Sequence, residues 1–355
     1  MKKSLFIMAV CAAALTGCTS NEVIEEGPHS NAIGFQQVVN KESRALDKTN
    51  LKFFSVYGYY TTDNDNTPVN VFNGADVTRA DVATNNWDYS PKRYWVPGAT
   101  YRFYAYACEG GEFATANGTA ALGTGNDIAG RALRLRNVKI DGAHQHDLIY
   151  AKNDDGIKGA GEETNTNAPV AFQFKHILTR LNVVFSSGFP EGYTIEISDV
   201  ELKNFNDYGN YNPANGWAVD NDNASQDGSN EITLSLTEGA TTAVASATEA
   251  NVKKVTTGIA YVIPYQYSDA DDSDDKPVIL SFNVDIKNAN GESIVKNTLE
   301  GTWYPKWAEG YSYTYNVRID GSAAALYPIV FETAVDVNDW AEGTTNSVEM
   351  VFGAN

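Results

Sequence analysis

The chain has 355 residues, 43% of them hydrophobic and 12% aromatic, which is ample for two packed cores and excludes a largely disordered polymer. Its 26 basic and 45 acidic residues give a net charge of −19, which opposes a phosphate-binding surface, so no nucleic acid is expected as a partner. Twenty tyrosines and 29 glycines suit short strands joined by turns.

Lys2 and Lys3 precede an apolar run from Leu5 to Leu15, and Leu15-Thr16-Gly17-Cys18 follows. Residues 1–17 therefore read as a signal peptide, too short in its apolar part for a permanent span. Its ending has the form of a bacterial lipobox. That form implies cleavage before Cys18, acylation of the thiol and a mature end held in a membrane. The alternative is an ordinary secretory signal with a chance cysteine. Cys11 leaves with the signal and Cys18 carries lipid, so Cys108 remains alone and no disulfide forms. Cys108 reads as a small core residue at a strand end. Residues 18–31, with Glu22, Glu25 and Glu26, read as a tether.

The first strand is expected at Ile33 to Val39, alternating at Ile33, Phe35 and Val39. Leu51 to Tyr60 reads as a strand with aromatics on both faces, and further strands follow at Tyr101 to Ala107 and Arg131 to Ile140. Lys152 to Ala168 is almost devoid of apolar residues and is the best boundary, giving expected domains at 32–165 and 166–355. The stretch Val170 to Phe185 opens the second. Phe172 and Phe174 share one parity; Ile177, Leu181, Val183 and Phe185 share the other. A period of two changes parity only across an irregularity, which is expected near His176 to Leu178. His176 itself is either a ligand or base, or a ring packed and hydrogen-bonded at that irregularity.

Tyr193 to Lys203 switches parity between Ile197 and Val200, and Ile232, Leu234 and Leu236 alternate. Ile259, Tyr261 and Ile263 alternate too. The clearest strands are Val278 to Ile286 and Tyr311 to Ile319. No segment holds a helical period, so an all-β chain of two sandwiches is expected. Trp307-Ala-Glu-Gly310 recurs at Trp340-Ala-Glu-Gly343, with the same outline at Trp95-Val-Pro-Gly98, which argues for one turn geometry used repeatedly.

Chemistry is sparse. His144 and His146 lack companions for a metal site. Asp269 to Asp275 lacks the Gly and distal Glu of a calcium loop, and Asp63 to Asn66 and Asp220 to Asn223 are no stronger. Gly123-Thr-Gly125 opens no helix after a strand, and no nucleophile elbow is present. No catalytic residue, metal or cofactor is expected.

In order and spacing the chain resembles the fimbrillin family of Bacteroidetes, the subunits of type V pili. The resemblance is carried by the lipobox at Cys18, Leu51 to Tyr60, Tyr94-Trp-Val-Pro-Gly98 with Tyr101-Arg-Phe-Tyr-Ala-Tyr106, and Phe172 to Phe185. It continues through Gly209-Asn-Tyr-Asn-Pro213 with Gly216-Trp217, Trp307 to Gly310, and Trp340. It implies two transthyretin-like β-sandwich domains in tandem, exported as a lipoprotein to the outer membrane and displayed at the cell surface in a fimbrium. It also implies processing after an arginine by a trypsin-like protease, which frees the first strand and lets a C-terminal segment of another fimbrial subunit fill the groove. Arg44, followed by Ala45, stands where that cut is expected; the alternative is an ordinary surface arginine.

Within 327–352, two one-faced runs are the candidate donor: Ile329, Phe331, Val335 and Val337, then Val348, Met350 and Phe352. Alternatively they complete this subunit's own sandwich. A surface glycan-binding lipoprotein, marked by a platform of exposed coplanar aromatics, and a secreted hydrolase with paired carboxylates are the competing functions.

Overall fold

The computed structural model describes residues 32–39, 46, 50–82, 86–111, 118–159, 168–219, 231–236, 243–246, 254–270, 275–319, 331–339 and 351–353. The described residues are almost all β, with two short helical turns, a 3-10 turn at Glu109–Gly111 and an α turn at Ile128–Arg131. The first half carries β1 (Phe35–Val39), β2 (Phe53–Thr62), β3 (Asp65–Thr78), β4 (Thr100–Cys108), β5 (Thr119–Leu122), β6 (Leu133–Lys139), β7 (Leu148–Lys158) and β8 (Val170–His176). After β9 (Thr179–Ser187) and β10 (Thr194–Lys203) come β11 (Tyr208–Asn212), β12 (Gly216–Val219), β13 (Glu231–Thr233) and β14 (Ala243–Ser246). The chain continues through β15 (Val255–Thr256), β16 (Ala260–Val262), β17 (Val278–Lys287), β18 (Ser293–Trp303) and β19 (Tyr311–Ile319), then β20 (Phe331–Asp339) and β21 (Val351–Gly353).

One sheet runs β1-β8-β7-β4-β2-β3, and its central strands β4 and β2 are buried on both faces. Strand alternation explains how. Along β2, Phe54 and Val56 enter one core, while Tyr57 and Tyr59 enter another. The tyrosine face, with Tyr104, Tyr106 and Tyr150, is covered by the four-stranded sheet β12-β11-β6-β5. The phenylalanine face is closed by Trp87, Tyr89 and Trp95 from the loop before β4, together with Leu46 and Leu51.

The second sandwich faces the sheet β13-β10-β17-β18-β21 against β15-β9-β19-β20, with Phe185, Phe282, Trp303 and Trp307 between them. Two parallel pairings stand out: β1 with β8, and β9 with β19.

The parity changes in the sequence have structural counterparts. Ile177 and Leu178 link β8 to β9 as a two-residue break, both fully buried. In β10 the register slips between Ser198 and Glu201, where Asp199 takes a positive φ of 49°. At Ile259 the alternation is misleading. Ile259 is 38% exposed, while Ala260, Tyr261, Val262 and Ile263 are all buried, because β16 is covered on both faces.

The sheets also divide the chain differently from its composition. The polar stretch from Lys152 is strand as far as Lys158, because β7 pairs with β4 out to Thr100 opposite Lys158. Residues 160–167 lie outside the described part. β8, which composition places in the second domain, is hydrogen-bonded to β1 and β7 in the first sheet. β11 and β12 return from the second half to pair with β6.

Candidate functional site

The first strand occupies a built seat. Ile33 and Phe35, two apart on one face, are 1% and 4% exposed. The Phe35 ring packs among those of Phe54, Phe72, Tyr89, Phe103 and Phe172, with centroids 5.3 to 6.3 Å away. Each neighbour comes from a different element, so the seat exists only once the sheet and the loop before β4 have closed.

Backbone bonds hold β1 along β8 and fix the residues just before it. Val170 N–H donates to the Gly34 carbonyl at 2.8 Å, and the ladder continues to Val39 opposite Phe174. Before the strand, Ile33 N–H donates to the Arg93 carbonyl at 2.8 Å, and the Tyr89 hydroxyl donates to the Ile33 carbonyl at 2.7 Å. Burial raises the Tyr89 phenol above its ordinary value, so it stays a donor.

The chemistry of the seat is exchange. An empty β1 slot exposes ladder groups of β8 and a five-ring hollow, and both favour refilling by an extended segment. Burying one isoleucine and one phenylalanine contributes about 3 to 6 kcal/mol gross. Association entropy offsets part of that.

His176 is the packed ring: it is 9% exposed, with Nδ1 against the Asp147 carboxylate. His144 Nδ1 meets Asp141 at 2.6 Å. Among the described residues no group of three metal-ligating side chains occurs. Cys108 is buried and unbonded to sulfur.

Asp275 accepts from the Tyr265 hydroxyl and the Ser268 N–H, so this end of the acidic run is internally satisfied. Cys18, Arg44, Ala45, Ile329, Val348 and Met350 lie outside the described residues. Phe331, Val335 and Val337 lie on β20, which pairs with β19 along its length, from Ile319 opposite Phe331 to Tyr311 opposite Asp339. Phe352 lies on β21, opposite Gly301 of β18. Both C-terminal strands therefore sit at the ends of this subunit's own sheets.

One signal went unread in the sequence. Ile33-Gly-Phe35-Gln-Gln37-Val-Val39 and Ile329-Val-Phe331-Glu-Thr333-Ala-Val335 share isoleucine, phenylalanine, a polar residue and valine at alternate positions. Only the seat around Phe35 gives that match a meaning. A shallow groove of about 370 Å³ elsewhere, lined by Trp217, Tyr265, Gln266, Trp307 and Glu309, offers less. Its carboxylate is already engaged by Lys175 and the Tyr211 hydroxyl.

Comparison with known proteins gives one family match, a family described as fimbrillin-like, over residues 44–340. No curated protein matches. Among solved structures, a candidate cell adhesion protein from Bacteroides ovatus is 15% identical, with 87% of this chain and 97% of that chain covered and a TM-score of 0.49. One from Bacteroides uniformis is 16% identical, covering 88% and 100%, with a TM-score of 0.46. The fimbrial anchor protein Mfa2 from Porphyromonas gingivalis is 10% identical, covering 87% and 98%, with a TM-score of 0.33.

Proposed function

The chain belongs to the fimbrillin-like family, and from that premise we propose that it is a structural subunit of a cell-surface fimbria that supports adhesion and assembles by strand exchange. A trypsin-like protease cuts between Arg44 and Ala45, β1 leaves its seat, and a C-terminal segment of another subunit takes its place. Before that, the precursor is lipidated at Cys18 and carried to the outer membrane.

The observation that carries this reading is the five-ring seat of Phe35 in a strand at the edge of its sheet, paired there with β8. The alternate-position match between 33–39 and 329–335 supports the second step, since it supplies an incoming Phe331 for the hollow that Phe35 vacates. For donation β20 must leave β19, so its nine paired positions set a barrier to premature exchange.

The deciding experiment is Arg44→Ala in the producing cell. The expected result is full-length, normally folded monomer and no filaments by electron microscopy; filaments from this variant overturn the reading. Cys18→Ser, followed by mass spectrometry and fractionation, is expected to abolish the acylated membrane form, and an unchanged mass and location overturn the lipid anchor. The glycan-binding alternative gains no support, because Tyr94, at 48%, is the single strongly exposed aromatic among the described residues and forms no platform.

A further inference from the structure

Asp147 and His176 form a buried pair beside the seat, and nothing in strand exchange itself requires them. Asp147 immediately precedes β7 with a side chain 0% exposed, and His176 ends β8 at 9%. His176 Nδ1 lies 2.9 Å from Asp147 Oδ2 and 3.0 Å from Oδ1. The same Oδ2 accepts the backbone N–H of Leu46 at 3.0 Å, across 101 residues of chain. Asp147 is itself fixed to the end of β4. Its N–H donates to Glu109 Oε2 at 3.2 Å, and its carbonyl accepts the Glu109 N–H at 2.9 Å.

A carboxylate without exposure keeps its donors tightly, because losing one leaves charge underpaired in a poorly screened place. Leu46 is also 8% exposed, in the core it shares with Phe35. The chain is thus pinned two residues after Arg44, by apolar burial and by a charge-assisted hydrogen bond.

We propose that Asp147, oriented by His176, is the anchor for the amino-terminal end of the subunit body after the cut between Arg44 and Ala45, accepting the Leu46 N–H and the α-ammonium created one residue ahead of it. The proposal rests on the cleavage reading above. Successive backbone nitrogens are about 3 to 4 Å apart, so the new ammonium arises next to an amide already on the carboxylate. The ligand class is a primary ammonium, and it exists only in the cut chain. The consequence is a defined opening: β1 departs, while Leu46, Leu51 and β2 stay and the rest of the seat keeps its shape.

The test imposes the cut. Lys41→Ile with Ser43→Gly turns residues 41–44 into a site for a protease specific for Ile-Glu-Gly-Arg, which cuts before Ala45 in the otherwise full chain. After cutting, hydrogen exchange reads the Leu46 amide, and an amine-reactive reagent with mass spectrometry reads the Ala45 amine. The expected result is a Leu46 amide that stays protected and an amine labelled at least about tenfold more slowly than in the cut chain carrying Asp147→Asn, which keeps the size and one acceptor but loses the charge.

Equal labelling of the two cut chains overturns the ammonium site. Rapid Leu46 exchange in the cut chain with native Asp147 overturns the anchor whether or not the variant folds. Because the cut is imposed, filaments from Arg44→Ala would sink the cleavage reading and leave these rates as they are.

Discussion

Phe35 concentrates more aromatic contact than any polar group in the site. Its replacement by alanine leaves a hollow walled by five rings that belong to different elements and cannot collapse together. Phe35→Ala is expected to cost about 3 to 5 kcal/mol, and Phe35→Leu clearly less, read by urea unfolding of the intact chain. Equal losses would show that the seat fits no particular shape. Some of this was legible beforehand. Phe172 and Phe174 announced their shared face by alternation, and His176 was marked by the change of parity. The seat was not legible, since Phe54, Phe72, Tyr89 and Phe103 meet Phe35 only through the fold. Asp147 was not legible either, because its partners Leu46 and His176 are distant in sequence.

The recurring Trp-x-x-Gly outline is the element that sequence and structure share most directly. Gly98 and Gly310 both take positive φ, 76° and 75°. Each turn is closed by a tyrosine six residues after the tryptophan: Val96 N–H donates to the Tyr101 hydroxyl at 2.7 Å, and Ala308 N–H to the Tyr313 hydroxyl at 3.1 Å. The spacing of Trp and Gly is local and therefore visible in sequence, whereas the tyrosine bond depends on the strand bending back. The third copy, at Trp340, lies outside the described residues. Alanine at either glycine costs about 1 kcal/mol for the left-handed backbone. At Gly310 the new Cβ also falls 3.1 Å from the His176 carbonyl, while at Gly98 it meets nothing within 4 Å. Gly310→Ala should therefore lower the melting temperature more than Gly98→Ala; the reverse order would show that the two turns are not under the same constraint.

For the C-terminal strands, deletion of 346–355, which removes the second of the two candidate donor runs and leaves β20 in place, is expected to leave a cooperatively melting, protease-resistant monomer that cannot extend a filament. Loss of cooperative melting would assign β21 to the subunit's own core.

At the scale of the whole molecule, the tyrosines tie stability to alkaline pH. Burial pushes the hydroxyls of Tyr104, Tyr150, Tyr211, Tyr261, Tyr267 and Tyr315 well above the ordinary phenol value. A raised folded value means the stabilisation is complete below the unfolded value near pH 10 and is lost as pH rises beyond it. Ultraviolet titration should show these phenols ionising together with unfolding, in one step. Smooth ionisation of all 20 tyrosines near pH 10, with the fold intact, would contradict the burial.

The all-β class and the pair of sandwiches were legible from strand periodicity and tyrosine content. The division between them was not. A polar stretch marks where chain is cheap to expose, whereas β7 crosses such a stretch as strand, and β11 with β12 crosses back to cover Tyr150.

The two parallel pairings have a mechanical meaning. A segment in the β1 slot is laced along β8, β8 runs through the buried Ile177–Leu178 link into β9, and β9 is laced in parallel to β19. Tension arriving along the strand axis is then carried from ladder to ladder in shear, with many hydrogen bonds loaded at once, and no joint on that path can be peeled open one bond at a time.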